Sequence, residues 1–268
     1  MITPLCPICG KPLTMEKPAW YCENRHSFDV ARQGYVNLLP VTQKHSLHPG
    51  DTAAMVAARR DFLNAGYYAP IAEKLRELVA AYAPRAESVL DAGCGEGYYL
   101  SQLDAKERWG VDISKDAVRY AAAREKNAQF LAATAAHLPF PDAAFDCVLS
   151  MFALTAAAEF ARVLKGGGVF VQVLAGETHL SALKSIIYPT LLEKEKHLHP
   201  QLEGFELLHE ETLSFAFTLE SREAVQNLLC MTPHVWRISK EGAAALAQIS
   251  RLSDRAEVVF NVYGRQTR

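Results

Sequence analysis

Val89-Leu90-Asp91-Ala92-Gly93-Cys94-Gly95-Glu96-Gly97-Tyr98-Tyr99 is the stretch that decides the fold of this chain. It reads as a short buried strand, a glycine turn and the start of a helix. Glycines at 93, 95 and 97 let the backbone bend tightly and approach a ligand closely, because no Cβ intervenes. A turn of this kind at the carboxyl end of the first strand is where open α/β sheets bind nucleotides. Asp91 separates the loop from a dinucleotide fingerprint, since a carboxylate there repels a pyrophosphate. It suits a ligand with adenosine at one end and positive charge at the other, such as S-adenosylmethionine. An NAD oxidoreductase is disfavoured on the same ground.

Strands and helices alternate around this loop. The predicted strands are Ser88–Ala92, Arg108–Asp112, Ala128–Ala132, Asp146–Met151 and Gly168–Leu174. Helices are expected over Tyr98–Asp104, Lys115–Lys126 and Ala156–Leu164. The alternation implies a parallel sheet. Upstream, Asp51 is expected to cap a helix running to about Ala65 and ended by Gly66, with a second helix over Ala69–Tyr82. After Gly176 the pattern changes to a helix near His179–Glu193, a strand near Phe205–Leu219, a helix near Ser221–Met231 and a last strand near Glu257–Gly264. Asp112 ends the second strand about 20 positions after Asp91, where a carboxylate can accept hydrogen bonds from both hydroxyls of a ribose.

Composition bounds the rest. The 268 residues are half hydrophobic and carry a net charge of −2, enough for one large domain plus a small module and unlike a polybasic binder. No apolar run approaches the ~20 residues that span a bilayer, and no secretory leader is evident, so the expectation is a cytoplasmic protein without membrane partners. Cys94, Cys147 and Cys230 are isolated, which is not a disulfide framework. Cys6-Pro7-Ile8-Cys9, followed by Cys22 and His26, is different. Three thiolates and one imidazole at this spacing make a closed tetrahedral zinc site, structural rather than catalytic. A unit of some 40 residues needs such a staple. His45, His48, His197 and His199 have no cysteine company and are expected in solvent.

The expected division is therefore residues 1–40 as a separate zinc module, 41–84 as a linker and bridging helices, and 85–268 as the S-adenosylmethionine domain. Between Met1 and Arg60, Lys11, Lys17, Arg25, Arg32, Lys44, Arg59 and Arg60 outnumber Glu16, Glu23, Asp29 and Asp51. Trp20, Tyr21, Phe28 and Tyr35 lie among these charges, as stacking on unpaired RNA bases requires.

The downstream segments resemble class I methyltransferases. His137-Leu138-Pro139-Phe140-Pro141-Asp142 with Phe145-Asp146-Cys147-Val148 looks like the approach to their fourth strand. Arg162-Val163-Leu164-Lys165-Gly166-Gly167-Gly168 looks like the turn before their fifth. The resemblance implies a Rossmann-like sheet, mostly parallel with an antiparallel last strand. The segment that holds adenine in that family is here Ala133-Thr134-Ala135-Ala136, without an acid, which leaves backbone groups for the task. Ser150-Met151-Phe152-Ala153 lacks the Asn/Asp-Pro-Pro-aromatic motif of many exocyclic-amine methylases, in keeping with a ring-nitrogen acceptor.

Nearly end to end, the chain resembles the bacterial 23S ribosomal RNA guanine-N1 methyltransferases of the RlmA type. The likeness runs through the cysteine cluster, Gly34-Tyr35-Val36-Asn37-Leu38-Leu39-Pro40, Ala58-Arg59-Arg60-Asp61-Phe62-Leu63, Gly66-Tyr67-Tyr68, the glycine loop, His179-Leu180, Gln201-Leu202-Glu203-Gly204-Phe205 and Met231-Thr232-Pro233 with Trp236-Arg237. It implies N1 methylation of one guanine in a large-subunit rRNA hairpin, with rRNA as partner and a homodimer as an open option. Gly95 and Glu96 then contact the cofactor, Tyr68 covers it and His179 sits near its methionine end. The site set is Tyr68, Asp91, Gly93, Gly95, Glu96, Gly97, Asp112 and His179, with Cys6, Cys9, Cys22 and His26 for zinc.

The base that takes the guanine proton is unassigned among His179, Glu96 and water. Arg59 and Arg60 are expected to hold phosphates, and Met231 to Trp236 to wall the base. A small-molecule methyltransferase and a non-catalytic RNA assembly factor are the rival readings. The zinc module argues against the first, and the intact Asp91, glycine loop and Asp112 against the second.

Overall fold

The computed structural model describes residues 1–43, 49–190 and 196–266. His45 and His48 lie outside them. Short strands β1 (Ala19–Tyr21), β2 (Ser27–Asp29) and β3 (Val36–Asn37) come first, then helices α1 (Ala53–Asn64) and α2 (Ala69–Tyr82). The alternating part is β4 (Ser88–Ala92), β5 (Glu107–Asp112), α3 (Lys115–Arg124), β6 (Gln129–Ala132), β7 (Phe145–Met151), α4 (Ala157–Val163) and β8 (Leu164–Ala175). The chain ends with α5 (Ser181–Ile187), β9 (Phe205–Leu219), α6 (Arg222–Cys230), α7 (Lys240–Ala247) and β10 (Leu252–Arg265).

One eight-stranded sheet has the order β3-β6-β5-β4-β7-β8-β10-β9. Its strands are parallel from β3 to β8, and β10 inserts antiparallel between β8 and β9. From β4 the chain winds outward to β5 and β6, then returns to the other side of β4 for β7 and β8. The reversal opens a crevice at the carboxyl ends of β4 and β7. β4 lies mid-sheet and is buried at every position, as a strand covered on both faces must be, with Asp91 the one charge inside it. Among the described residues, no helix is long and apolar enough to cross a membrane.

Several sequence expectations shift. Thr52, not Asp51, caps α1: its hydroxyl accepts from the Met55 amide at 3.3 Å, while the Asp51 carboxylate is drawn to Arg59. The helix expected over Tyr98–Asp104 shortens to one 3-10 turn, Leu100–Gln102, closed by a Leu103 amide to Leu100 carbonyl bond. The chain must turn there to enter β5 at Glu107. α5 stops at Ile187, short of the expected Glu193, and Leu191–Glu193 fall outside the described residues. α7 was not anticipated, although Ser239 announces it by accepting from the Gly242 amide.

Residues 1–40, expected to be separate, are sewn into the sheet. Val36 and Asn37 pair in parallel with Leu131 and Ala132, and the Leu38 amide donates to the Ala132 carbonyl at 2.9 Å. The Leu5 amide donates to Pro139, and the terminal amine pairs with Glu107. Trp20 meets Trp109 edge-on at 6.4 Å. Leu13, Trp20, Val36 and Leu38 belong to the same buried cluster as Leu90, Trp109 and Val111. Apolar residues of a unit this small cannot bury one another fully, so they use the sheet.

Candidate cofactor cleft and metal site

The crevice is a cavity of about 620 Å³ over the carboxyl ends of β4, β5 and β7. Such a volume takes a cofactor-sized ligand. Gly93, Gly95, Asp112, Tyr68 and His179 line it; Asp91, Glu96 and Gly97 lie behind the wall. Asp91 is fully buried beneath the loop, and neither carboxylate oxygen has a hydrogen-bond partner. Burial, reinforced by the Asp112 and Glu96 carboxylates, pushes its pKa up to about 8. An unpartnered buried carboxylate is costly, and a cationic group above the loop would offset that cost.

Gly93 and Gly97 hold left-handed backbone at φ +93° and +81°. A Cβ at Gly93 would sit 2.5 Å from the Ala153 methyl, and one at Gly97 3.0 Å from Ala121 of α3. The loop is thus clamped between α3 and the turn after β7, with no room for a side chain at Gly93 or Gly97. Glu96 does not face the cavity. It is buried with Oε2 at 2.7 Å from Arg124 Nη2, so only its backbone could reach a ligand.

Asp112 does face the cavity. Oδ2 accepts from the Gly95 amide at 2.9 Å and Oδ1 from the Ser114 amide at 2.8 Å. Burial raises its pKa while these two bonds pull it back. Each oxygen keeps a lone pair for a ligand hydroxyl. Thr134 and Ala135 continue the wall beyond it.

On the other side, the Tyr68 hydroxyl lies 3.2 Å from His179 Nε2, and His179 Nδ1 lies 2.9 Å from the Glu257 carbonyl. The Glu257 amide also points at Nδ1, at 3.2 Å; with a proton on Nδ1 the shorter contact to the carbonyl is satisfied and Nε2 accepts from Tyr68. Burial, helped by the Lys184 charge, lowers the His179 pKa to about 4, so the ring is neutral at pH 7. Burial likewise raises the Tyr68 hydroxyl far above its usual range.

The sequence reading of the arginines needs correction. Arg59 and Arg60 are adjacent on α1 and point in different directions, as a turn of 100° per residue demands. Arg59 enters the cavity, pairs with Asp51 at 2.5 Å and donates to the Met231 carbonyl at 2.8 Å. Arg60 pairs with Asp61 and lies over the Tyr120 ring. Met231, Thr232 and Pro233 line the cavity, but Trp236 is 69% exposed and away from it. His199 is not simply solvated, since Nδ1 meets Asn261 Oδ1 at 2.8 Å and Glu210 at 3.1 Å.

Among the lining residues outside the predicted site set are His234, expected only as part of the Met231 to Trp236 wall, and Phe152. His234 is held by the Tyr188 hydroxyl at 2.8 Å from Nδ1, and burial lowers its pKa. Phe152 follows the last residue of β7. Its place just beyond a strand's carboxyl end, where open sheets put ligands, was the available signal.

At the other site, Cys6, Cys9, Cys22 and His26 bring one ligand atom each to within 4.8 Å of all the others. Sγ of Cys9 and Cys22 are 3.7 Å apart; His26 Nδ1 is 3.5 Å from Cys6 Sγ and 3.4 Å from Cys22 Sγ. Tetrahedral zinc with Zn–S of ~2.3 Å and Zn–N of ~2.0–2.1 Å requires edges of about 3.8 and 3.5 Å. The donor set fits zinc in number, type and spacing.

Residues 5–47 match the family model described as the RlmA N-terminal zinc ribbon, and residues 90–172 match a methyltransferase domain. The 23S rRNA (guanine(748)-N(1))-methyltransferase of Streptomyces fradiae is 35% identical, over 96% of this chain and 93% of its own. A relative in Micromonospora griseorubida, named for the same N1 reaction on 23S rRNA, is 33% identical over 96% of this chain and 94% of its own. Among solved structures, the YcgJ protein of Bacillus subtilis superposes with a TM-score of 0.45 at 20% identity, over 72% of this chain and 97% of its own.

Proposed function

We infer that this chain, which belongs to the family of 23S rRNA guanine-N1-methyltransferases, transfers a methyl group from S-adenosylmethionine to N1 of one guanine in a hairpin loop of 23S ribosomal RNA. The observation that carries the reading is the combination in one chain, along nearly the whole length of relatives named for this reaction, of a zinc-fitting Cys3His cluster and a glycine-loop cleft. Action on ribosomal RNA would put the protein in the cytoplasm.

When bound, S-adenosylmethionine supplies a methyl group that is already electrophilic. The task left to the chain is to bind, orient and exclude water, and most of the rate gain comes from positioning. Gly93 and Gly95 would let the backbone approach the ligand, and Asp112 would accept from the ribose hydroxyls with the lone pairs left free by its bonds from the Gly95 and Ser114 amides. Asp91, mostly protonated in the ligand-free protein, would ionise beneath the cationic end of the ligand, whose charge would draw its pKa back down. Tyr68 and His179 close the opposite wall as a neutral, mutually hydrogen-bonded pair. Cys6, Cys9, Cys22 and His26 would hold the zinc, and the module they shape would dock RNA.

Guanine N1 lies on the Watson–Crick edge and carries a proton at neutral pH. The base must therefore be unpaired or swung out of its stack, and the proton must leave before or during transfer. Glu96 drops out as its acceptor, being buried beside Arg124 behind the wall. His179 and His234 face the cavity, each with one ring nitrogen engaged by a tyrosine hydroxyl.

Reverse transcription across 23S rRNA from cells with and without the protein tests the reading, because an N1-methyl group blocks base pairing. The expected result is a stop at one guanine that vanishes in the knockout. No change at any 23S guanine overturns the assignment.

A further inference from the structure

Phe152 stands in the wall of the cleft in an unusual conformation. Its backbone takes φ +55° immediately after β7, a left-handed conformation that bulky residues rarely adopt. Strain of this kind persists only where surrounding structure enforces it, and it gathers at functional sites. Two contacts enforce it here. The Phe152 amide donates to the Val173 carbonyl of β8 at 2.9 Å. The next residue, Ala153, has its methyl in the space a Gly93 Cβ would occupy.

The turn therefore sends the Phe152 ring into the cavity. Phe152 is 39% exposed, whereas neighbouring Met151 is buried. The Phe152 ring centroid lies 6.0 Å from His179, 6.4 Å from Tyr68 and 6.5 Å from Tyr99. A fold needing only a turn here would place Gly or Asn at this φ, and one needing only core would bury the ring.

We propose that Phe152 is the stacking platform for the target base: its exposed ring receives the swung-out guanine and holds its N1 edge inside the cleft. The proposal rests on the reading of the reaction given above. A guanine is planar, aromatic and too hydrophilic to be held by greasy contact alone, so a ring face is the fitting surface for it. Stacking tolerates any base, so Phe152 would give orientation, and hydrogen bonds elsewhere would give the choice of guanine.

The test compares wild type with Phe152→Asn and Phe152→Tyr on 23S rRNA purified from cells lacking the protein. Asn relaxes left-handed backbone and removes the ring, whereas Tyr keeps the ring. Stacking contributes ~1–3 kcal/mol per base, so Phe152→Asn should lower kcat/KM for RNA by about 5- to 150-fold. Its affinity for S-adenosylmethionine should stay within about 2-fold of wild type and its Tm should not fall. Phe152→Tyr should retain wild-type activity within a few-fold. A hairpin with 2-aminopurine at the target position should be quenched on binding wild type and Phe152→Tyr, but not Phe152→Asn. Undiminished methylation by Phe152→Asn overturns the proposal, as does loss of cofactor affinity in proportion to activity. If wild type itself modifies no 23S guanine, the reading of the reaction fails first, a distinct result from a wild type and variant that work equally well.

Discussion

The zinc module and the methyltransferase sheet close their cores by opposite means. In the sheet, Leu90, Val148 and Phe170 are fully buried on long neighbouring strands. In the module, β1 and β2 are three residues each and β3 only two. Four ligand atoms replace the missing apolar area there, and Trp20, Val36 and Leu38 find burial only by leaning on Trp109 and Leu131. The comparison teaches that a boundary visible in composition need not be a boundary in energy. The module is distinct in how it is held and continuous in what it packs against.

Removing the metal probes the comparison hardest. Structural zinc contributes on the order of 10 kcal/mol to small modules, so Cys22→Ala should abolish zinc content by elemental analysis and cut 23S rRNA methylation by more than ~100-fold. Affinity for S-adenosylmethionine, measured by calorimetry, should change by less than ~10-fold, because the cleft is built on β4, β5 and β7. An equal collapse of cofactor binding would make the two regions one cooperative unit.

Trp109→Ala comes next. The side chain is almost wholly buried between Trp20 and Phe140, and emptying such a site costs about 3–5 kcal/mol. Urea unfolding should show that loss, and zinc release to a chelator should quicken with it. Unchanged zinc release would mean that the shared core is only a contact.

Asp91→Asn should have the smallest effect, and one of mixed sign. The folded pKa of Asp91 is raised above the unfolded value. Its contribution is therefore most favourable below pH ~4 and is lost as pH rises towards about 8. Ligand-free Asp91→Asn should melt above wild type at pH 8, with the gap narrowing towards pH 4. It should bind S-adenosylmethionine roughly 10-fold more weakly, since one pKa-scale interaction of about 1.4 kcal/mol is a factor of ten. Unaltered affinity would remove Asp91 from cofactor recognition and leave it a burden on the fold.

Local signals were legible in the sequence, and long-range ones were not. α2 and β9 fall where periodicity and the flanking proline and glycine placed them, because those signals act over a few residues. The glycine loop was readable for the same reason: close approach and left-handed turns require glycine at particular spacings. Glu96 was placed on the cofactor by the family resemblance, but its side chain is drawn away to Arg124, 28 residues on. Phe152 and His234 reach the cavity only because the sheet brings β7 and the segment after α6 to one end. The pairing of Val36 with Leu131 likewise has no local sign, since a two-residue strand carries too little pattern to register.

That pairing also sets an order of events on the ribosome. Leu131 leaves the exit tunnel roughly a hundred residues after Val36, which at ~5–20 residues per second is a delay of about 5–20 s. During that interval Leu13, Trp20 and Val36 have no sheet to cover them. The four metal ligands are all in place by His26, so zinc can hold the nascent module in shape until its partner strand is made. A cell short of zinc would thus fail this protein during synthesis, before any finished molecule had a metal to lose.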